Sequence, residues 1–462
     1  MRFPAIAARL LPDRLSIGAL AGLPMGCLLA ILSIGSLTAA ALPFQFSGAT
    51  PGPDGKPAGW TTWSARAETA PRCFVDPLHF RGKSGSLAIS GAGKLAEHGG
   101  WEHIEPGIEA GQWYRFTAYY RAEAVASENW QIVARLDWRD ARNVRAAQPD
   151  YAYHAQRDGA WTRLTIDAPA PADAVAVVLQ LYLSNSPEGT VLWDDISLTR
   201  IATPAPRPVR IATVNFCSHG SSSAAENVRR FVEVIDKSIH EKTDVILLPE
   251  GITGVNTGKS YVEAAEPVPG PTTLQLGEAA KRLNAYIVAG VYEREGAAVY
   301  NTAVLIDRQG NLAGKYRKVY LPREEVEGGL TPGRDYPVFE TDFGTVGLMI
   351  CYDVFFPDPA RALAARGAEV IFMPIAGGDE TLAKARAIEN KVFLVSSGYQ
   401  FPTAITDPDG NVMATAREDG AVAQTTIDLS KRYVDPWLGE MHGRRMRELR
   451  LDMPPRQPGF EE

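Results

Sequence analysis

Cysteine is scarce, with four residues in a chain of 462, and one of them, Cys27, falls in an apolar N-terminal stretch. The other three, Cys73, Cys217 and Cys351, are odd in number, so outside the cytoplasm at least one thiol stays unpaired. A Cys73–Cys217 disulfide is left open. Basic runs are missing too: the net charge is −7 and no Lys/Arg-dense segment stands against it, which argues against a nucleic-acid surface. There is no Gly-x-Ser-x-Gly elbow, which excludes that type of serine hydrolase. Gly258-Lys259-Ser260 lacks the first glycine of a phosphate loop, whose place Thr253 takes. The seven histidines are scattered without metal-ligand spacing, and neither His219 nor His442 has a sequence partner for a Cys–His dyad. Beyond the N-terminus, no apolar run is long enough to span a bilayer.

What is there begins with a leader-like pattern. Arg2, Arg9 and Arg14 precede an uncharged stretch from Leu15 to Ala41 that ends in small residues. Such a pattern predicts a secretory signal over residues 1–41, cleaved near Ala41, and an extracytoplasmic (periplasmic or secreted) protein. The stretch is longer than a signal needs, so an uncleaved membrane anchor is the alternative. Gly22 and Pro24 weaken a continuous helix there.

Residues 42–201 read as short strands. Ile132, Ala134, Leu136 and Trp138 alternate with Val133, Arg135, Asp137 and Arg139, a period of two. Pro- and Gly-rich turns separate such runs, and eight of the nine tryptophans lie before residue 200, which predicts a β-sandwich with an aromatic-rich core. Gly59-Trp60, Gly85-Ser86-Leu87-Ala88-Ile89 and Trp193-Asp194-Asp195-Ile196 loosely resemble the jelly-roll modules of carbohydrate-binding proteins. A glycan on this region is one reading; aromatics filling the core of an inert spacer are the other.

Residues 202–208, Ala-Thr-Pro-Ala-Pro-Arg-Pro, form a Pro-rich linker. Residues 209–432 then change texture. Apolar strands at Arg210–Phe216, Asp244–Leu248 and Val346–Ile350 interleave with a helical stripe of Val228, Phe231, Val232, Ile235 and Ile239 capped by Ser223. This is an α/β layered pattern, and the turns at Arg308–Asn311 and Asp407–Gly410 add hairpins. Residues 433–462 are a tail rich in Arg, Glu and Pro, read as loose or wrapped on a neighbour.

Three polar residues stand where apolar strands end: Glu250 after Leu247-Leu248-Pro249, Lys318 in Gly314-Lys315-Tyr316-Arg317-Lys318, and Cys351 after Leu348-Met349-Ile350. With Tyr300-Asn301-Thr302, Leu321-Pro322, Thr331-Pro332-Gly333, Cys351-Tyr352-Asp353, Phe356-Pro357 and Arg386-Ala387-Ile388-Glu389-Asn390 in this order, the region resembles the nitrilase superfamily of carbon–nitrogen hydrolases. The resemblance implies a four-layer α-β-β-α sandwich, a Glu250–Lys318–Cys351 triad, a homodimer, and no metal or cofactor. It also implies a second glutamate among Glu324, Glu325 and Glu327. The spacing to Thr331-Pro332-Gly333 favours Glu327, with Glu325 as fallback.

The chemistry asks for such a trio. A thiol near neutrality is mostly protonated and needs a base, here Glu250, before it attacks carbon. Lys318 and the backbone N–H of Tyr352 would hold the developing oxyanion. Tyr352 and Asp353 would support the nucleophile turn, Arg386 and Glu389 would form an internal ion pair, and Ala376 to Thr381 would line the pocket. The expected substrate is a small amide or N-carbamoyl compound. An N-acyltransferase, and an inactive glycan-binding scaffold, are the alternatives.

Overall fold

The computed structural model describes residues 42–43, 56–82, 85–399 and 403–453. The leader-like segment of residues 1–41, with Cys27, lies outside them, as do residues 454–462 of the tail.

The first region is built from two antiparallel sheets. One runs Arg72–Asp76, Ser86–Ser90, Thr190–Ile201, Trp113–Glu123, Trp161–Pro169, His154–Asp158, with Leu42–Pro43 paired onto Thr190–Ile201. The other runs Trp60–Ser64, His98–Pro106, Ala176–Ser184, Ile132–Arg139, Asp150–Tyr151. Leu87, Phe116 and Trp193 from the first share one core with Trp101, Leu136 and Leu181 from the second. Trp60, Trp101, Trp138 and Trp193 all lie in that core, where truncation to alanine typically costs about 3–5 kcal/mol. The period of two in Ile132–Arg139 sends Ile132, Ala134, Leu136 and Trp138 inward. Its opposite face is not simply solvated, because Arg139 and Arg145 seal Asp137 completely.

The linker is tied down rather than loose: Arg207 forms a two-pronged ion pair with Glu369, and its backbone N–H donates to Asp428. The second region holds two six-stranded sheets. In one the order is Leu312–Arg317, Ala298–Ile306, Tyr286–Glu295, Val245–Leu247, Pro208–Asn215, Ala421–Asp428. In the other it is Val338–Glu340, Thr345–Leu348, Val370–Pro374, Phe393–Ser397, Thr403–Thr406, Val412–Ala416. The central strands of each are parallel and the outer ones antiparallel. Parallel strands buried on both faces account for their unbroken apolar runs.

Val209, Leu247 and Val288 meet Val346, Phe372 and Val395 between the sheets. Outside the first sheet lie the helices Ala224–Ser238 and Pro271–Leu283, which bury Phe231, Ile235, Leu276 and Ala280. Outside the second lie Asp358–Ala365 and Glu380–Asn390, burying Leu363, Ala383 and Ala387. The layers are thus helix, sheet, sheet, helix.

Two readings that the sequence left open are narrowed among the described residues. Cys73, Cys217 and Cys351 are all free thiols, so the Cys73–Cys217 pairing is not formed. The tail, where described, is not loose: Met441–Glu448 is a helix seated on the first region, with Gly443 against the Tyr153 ring, where a β-carbon would lie 2.6 Å from a ring atom.

Candidate active site

Glu250 stands just past the parallel strand Val245–Leu247 and is 4% exposed. The neighbouring strand crosses so closely that a β-carbon on Gly290 would sit 2.6 Å from the Glu250 α-carbon. Only glycine fits there. Asn301, fully buried, donates to Glu250 Oε1 at 2.7 Å, and the Ala376 N–H donates to Oε2 at 3.0 Å.

Strand alternation sorts the basic run. Lys315 and Arg317 face one side and pair with Glu293, each at 2.6 Å. Tyr316 and Lys318 face the other. Lys318, 1% exposed, donates from Nζ to Glu250 Oε1 at 3.0 Å and to Glu325 Oε1 at 2.9 Å. Burial alone would lower its pKa, but the carboxylates Glu250 and Glu325 outweigh that and raise it, so the ammonium persists.

Glu325, and not Glu327, is the second glutamate of the cluster. On the short helix Arg323–Glu327 successive residues turn about 100°, so positions 325 and 327 point roughly opposite ways. Glu325 faces in and is 6% exposed, with Asn301 Nδ2 at 2.9 Å as well as Lys318. Glu327 faces out and pairs only loosely with Arg323 at 3.4 Å. Motif spacing selected Glu327 without regard to helix face. Burial, reinforced by Glu250, raises the Glu325 pKa against the pull of Lys318.

Cys351 follows the strand Thr345–Leu348 and opens the 3₁₀ turn Cys351–Phe355. Its φ is +44°, a left-handed conformation that is costly for a side chain other than glycine and persists only where surroundings enforce it. Asp353 is one enforcer. Fully buried, it accepts from Ile350 N at 2.8 Å, Tyr316 OH at 2.8 Å and Tyr320 N at 3.1 Å. It therefore staples the cysteine turn to both flanks of Lys318. Arg386 is another: it donates from Nε to Val354 O at 3.1 Å while pairing with Glu389 at 2.8 Å.

The Cys351 sulfur lies 3.4 Å from Gly377 O. Burial first, then the negative charge of Glu250, pushes the thiol up to about 12, against Lys318 and the Ala376 N–H, which lower it. A resting thiol beside a base is the result. Tyr352 is half-buried and turns its ring toward Phe355 and Phe356.

Sequence reasoning missed several neighbours. Asn301 was signalled by a polar pair breaking an apolar strand, but received no role. Tyr261, Tyr292 and Tyr399 had no such signal, since each comes from a separate segment. Tyr399 OH donates to Glu250 O at 3.2 Å, the Tyr261 and Tyr292 rings lie 5.0 Å apart, and burial followed by nearby carboxylates, Glu250 among them, raises all three phenols. Among the described residues no three His, Cys, Asp or Glu side chains gather to hold a metal.

A cavity of about 740 Å³ lies elsewhere, lined by Tyr153, His154, Arg207, Glu369, Tyr433 and His442 among others. No cysteine lines it, and the converging Glu250, Lys318, Glu325 and Cys351 are the better candidate.

Known proteins agree with this region. The family described as carbon–nitrogen hydrolase matches residues 210–434. The chain is similar to omega-amidase NIT2 of Homo sapiens, 30% identical over 237 residues, covering 46% of this chain and 86% of that protein. It is also similar to a nitrilase of Pyrococcus abyssi, 35% identical over 222 residues, covering 44% of this chain and 84% of that one. Among solved structures, Saccharomyces cerevisiae Nit3 aligns at 24% identity and a TM-score of 0.44 over 48% of this chain and 90% of its own. The chain belongs to the carbon–nitrogen hydrolase family of the nitrilase superfamily.

Proposed function

We propose that this enzyme hydrolyses the C–N bond of a small amide or N-carbamoyl substrate through a thioester on Cys351. The observation that carries the reading is Lys318, sealed between Glu250 and Glu325 beside a thiol held at positive φ. Glu250 takes the thiol proton as sulfur attacks the carbonyl carbon. Charge moves onto the carbonyl oxygen, where Lys318 and the Tyr352 N–H hold it; one such donor is worth about 3 kcal/mol. The tetrahedral species collapses as Glu250 passes its proton to nitrogen, and the amine or ammonia departs. Water then gives a proton to the same carboxylate and attacks the thioester carbon. Collapse releases the acid and returns the proton to sulfur. Glu325 and Asn301 keep Lys318 and Glu250 aligned throughout.

The names of the relatives, an omega-amidase and a nitrilase, favour an amide over acyl transfer to an amine. The N-terminal segment is proposed to direct export, and the jelly-roll-like region to hold a glycan. For the latter, Trp63 is the support: it is 39% exposed and stacked on Tyr182 at 5.3 Å.

The test is ammonia release from a panel of amides, ureas and N-carbamoyl amino acids, with Cys351→Ala alongside. Turnover with at least one class, lost by about four orders of magnitude or more in the variant, is expected. A wild-type Cys351 that reacts with iodoacetamide no faster than a free thiol, with no turnover on the panel, would sink the proposal.

A further inference from the structure

The C-terminal helix Met441–Glu448 joins the sandwich to the nucleophile turn by buried polar contacts. On one side Arg447, 5% exposed, donates to the backbone carbonyls of Glu128 and Ile132, and Asn129 donates to Leu449 O at 2.7 Å. Arg450 covers the Trp130 ring at 4.0 Å, extending the same seat. On the other side Arg445 donates to Asn390 Oδ1 at 2.8 Å. Asn390, 2% exposed, donates to Arg386 O at 2.9 Å, and Arg386 in turn grips Val354 O in the cysteine turn. The helix bearing Asn390 and Arg386 also begins next to Gly377, whose carbonyl faces the sulfur.

A left-handed cysteine needs support from outside its own strand, and this route supplies it. We infer that Arg445 is a positioning residue for the nucleophile: seated by the sandwich, it acts through Asn390 and Arg386 to hold the turn that carries Cys351. The inference rests on the proposed role of Cys351. It makes the N-terminal sandwich and the C-terminal helix part of the catalytic apparatus rather than an appendage.

The experiment uses the full-length chain and iodoacetamide, with labelling of each cysteine followed by peptide mass spectrometry, so that Cys73 and Cys217 serve as internal references. Kinetic constants are measured in parallel on whichever amide the wild type turns over. Arg445→Met is expected to slow Cys351 labelling and lower kcat by about tenfold, with KM and the reference thiols unchanged within about twofold; the scale follows from small misplacements of a reacting group. Arg445→Lys should recover part of both, and Arg444→Met, whose guanidinium bonds Glu448 and Leu438 O and no residue of the route, should match wild type. Asn390→Ala enters the route from its middle and should repeat the Arg445→Met pattern, which covers the case where the latter does not fold.

Wild-type labelling and kcat in both Arg445→Met and Asn390→Ala would overturn the inference. So would a parallel rise in labelling of all three thiols, which marks general loosening. If the wild type turns over no amide, the functional proposal fails while Cys351 labelling still decides this one.

Discussion

Two buried carboxylate clusters in this chain are alike in enclosure and differ in kind. In the sandwich, Asp137 is wholly enclosed, yet Arg139 and Arg145 reach it at 2.6 and 2.8 Å while keeping part of their own side chains in water. Two cations serve one anion, and both can be solvated. Around Lys318 the count is reversed: one cation serves Glu250 and Glu325, and none of the three touches solvent appreciably. Glu293, a strand away, follows the sandwich pattern. Burial pushes its pKa up, but Arg317, Lys315 and Thr302 pull it below the usual value. Buried charge alone therefore does not mark chemistry. A surplus of one sign, sealed from water beside a nucleophile, does.

The contrast is broken most directly at Lys318. Lys318→Met keeps the volume and removes the cation, leaving two carboxylates facing each other. Amide hydrolysis is expected to fall by about 10²–10³-fold, the usual loss for one oxyanion donor, read as kcat/KM by ammonia release. An activity within tenfold of wild type would mean that the Lys318 cluster is structural, like the paired Glu293.

The next effect separates two glutamates of one helix. Glu325→Gln should lower kcat by about 10-fold or more, because Lys318 loses a charged partner that fixes its direction. Glu327→Gln should change nothing beyond about twofold. The reverse ranking would restore the choice that motif spacing made.

That choice shows where the sequence was legible. Glu250, Lys318 and Cys351 were readable as a set from the ordered motifs that resemble the superfamily, with Glu250 and Cys351 also marked by following apolar strands, whose ends are where layered α/β folds present side chains. Glu325 was not, since neighbouring acids differ only in helical angle. Asn301 was half-legible as a polar break in an apolar run. Tyr261, Tyr292 and Tyr399 depend on three separated segments converging, which no local pattern encodes. The layers followed from texture, but the strand orders of the sheets did not, because pairing is set by long-range contacts. The tail was misread for a physical reason: an Arg-rich helix reads as solvated, while here Arg447 buries its guanidinium against backbone carbonyls.

In the sandwich the expected loss is in stability alone. Asp137→Asn leaves Arg139 and Arg145 without their carboxylate. Breaking a buried pair costs about 3–5 kcal/mol, and the partial exposure of both arginines reduces this to about 2 kcal/mol. Urea unfolding measures it, and kcat on the preferred amide should stay within about twofold. A kcat that falls with stability intact would tie this cluster to the site after all.

The last effect distinguishes the clusters by pH. Asp353 is fully enclosed, and burial raises its pKa to about 6 despite the Ile350, Tyr316 and Tyr320 donors and the Lys318 charge, which all lower it. Because the folded value exceeds the unfolded one, the folded chain keeps this proton longer. The stability it contributes is complete below the ordinary value of 3.8 and is lost as pH rises through about 6. Asp353→Asn cannot titrate, so the stability of wild type minus that of the variant should decline from about pH 4 to about pH 7. Urea midpoints and slopes at several pH values measure the difference. A level difference would mean that the three donors keep Asp353 ionised throughout, and that its carboxylate, like Glu293, is neutralised by its partners rather than strained by burial.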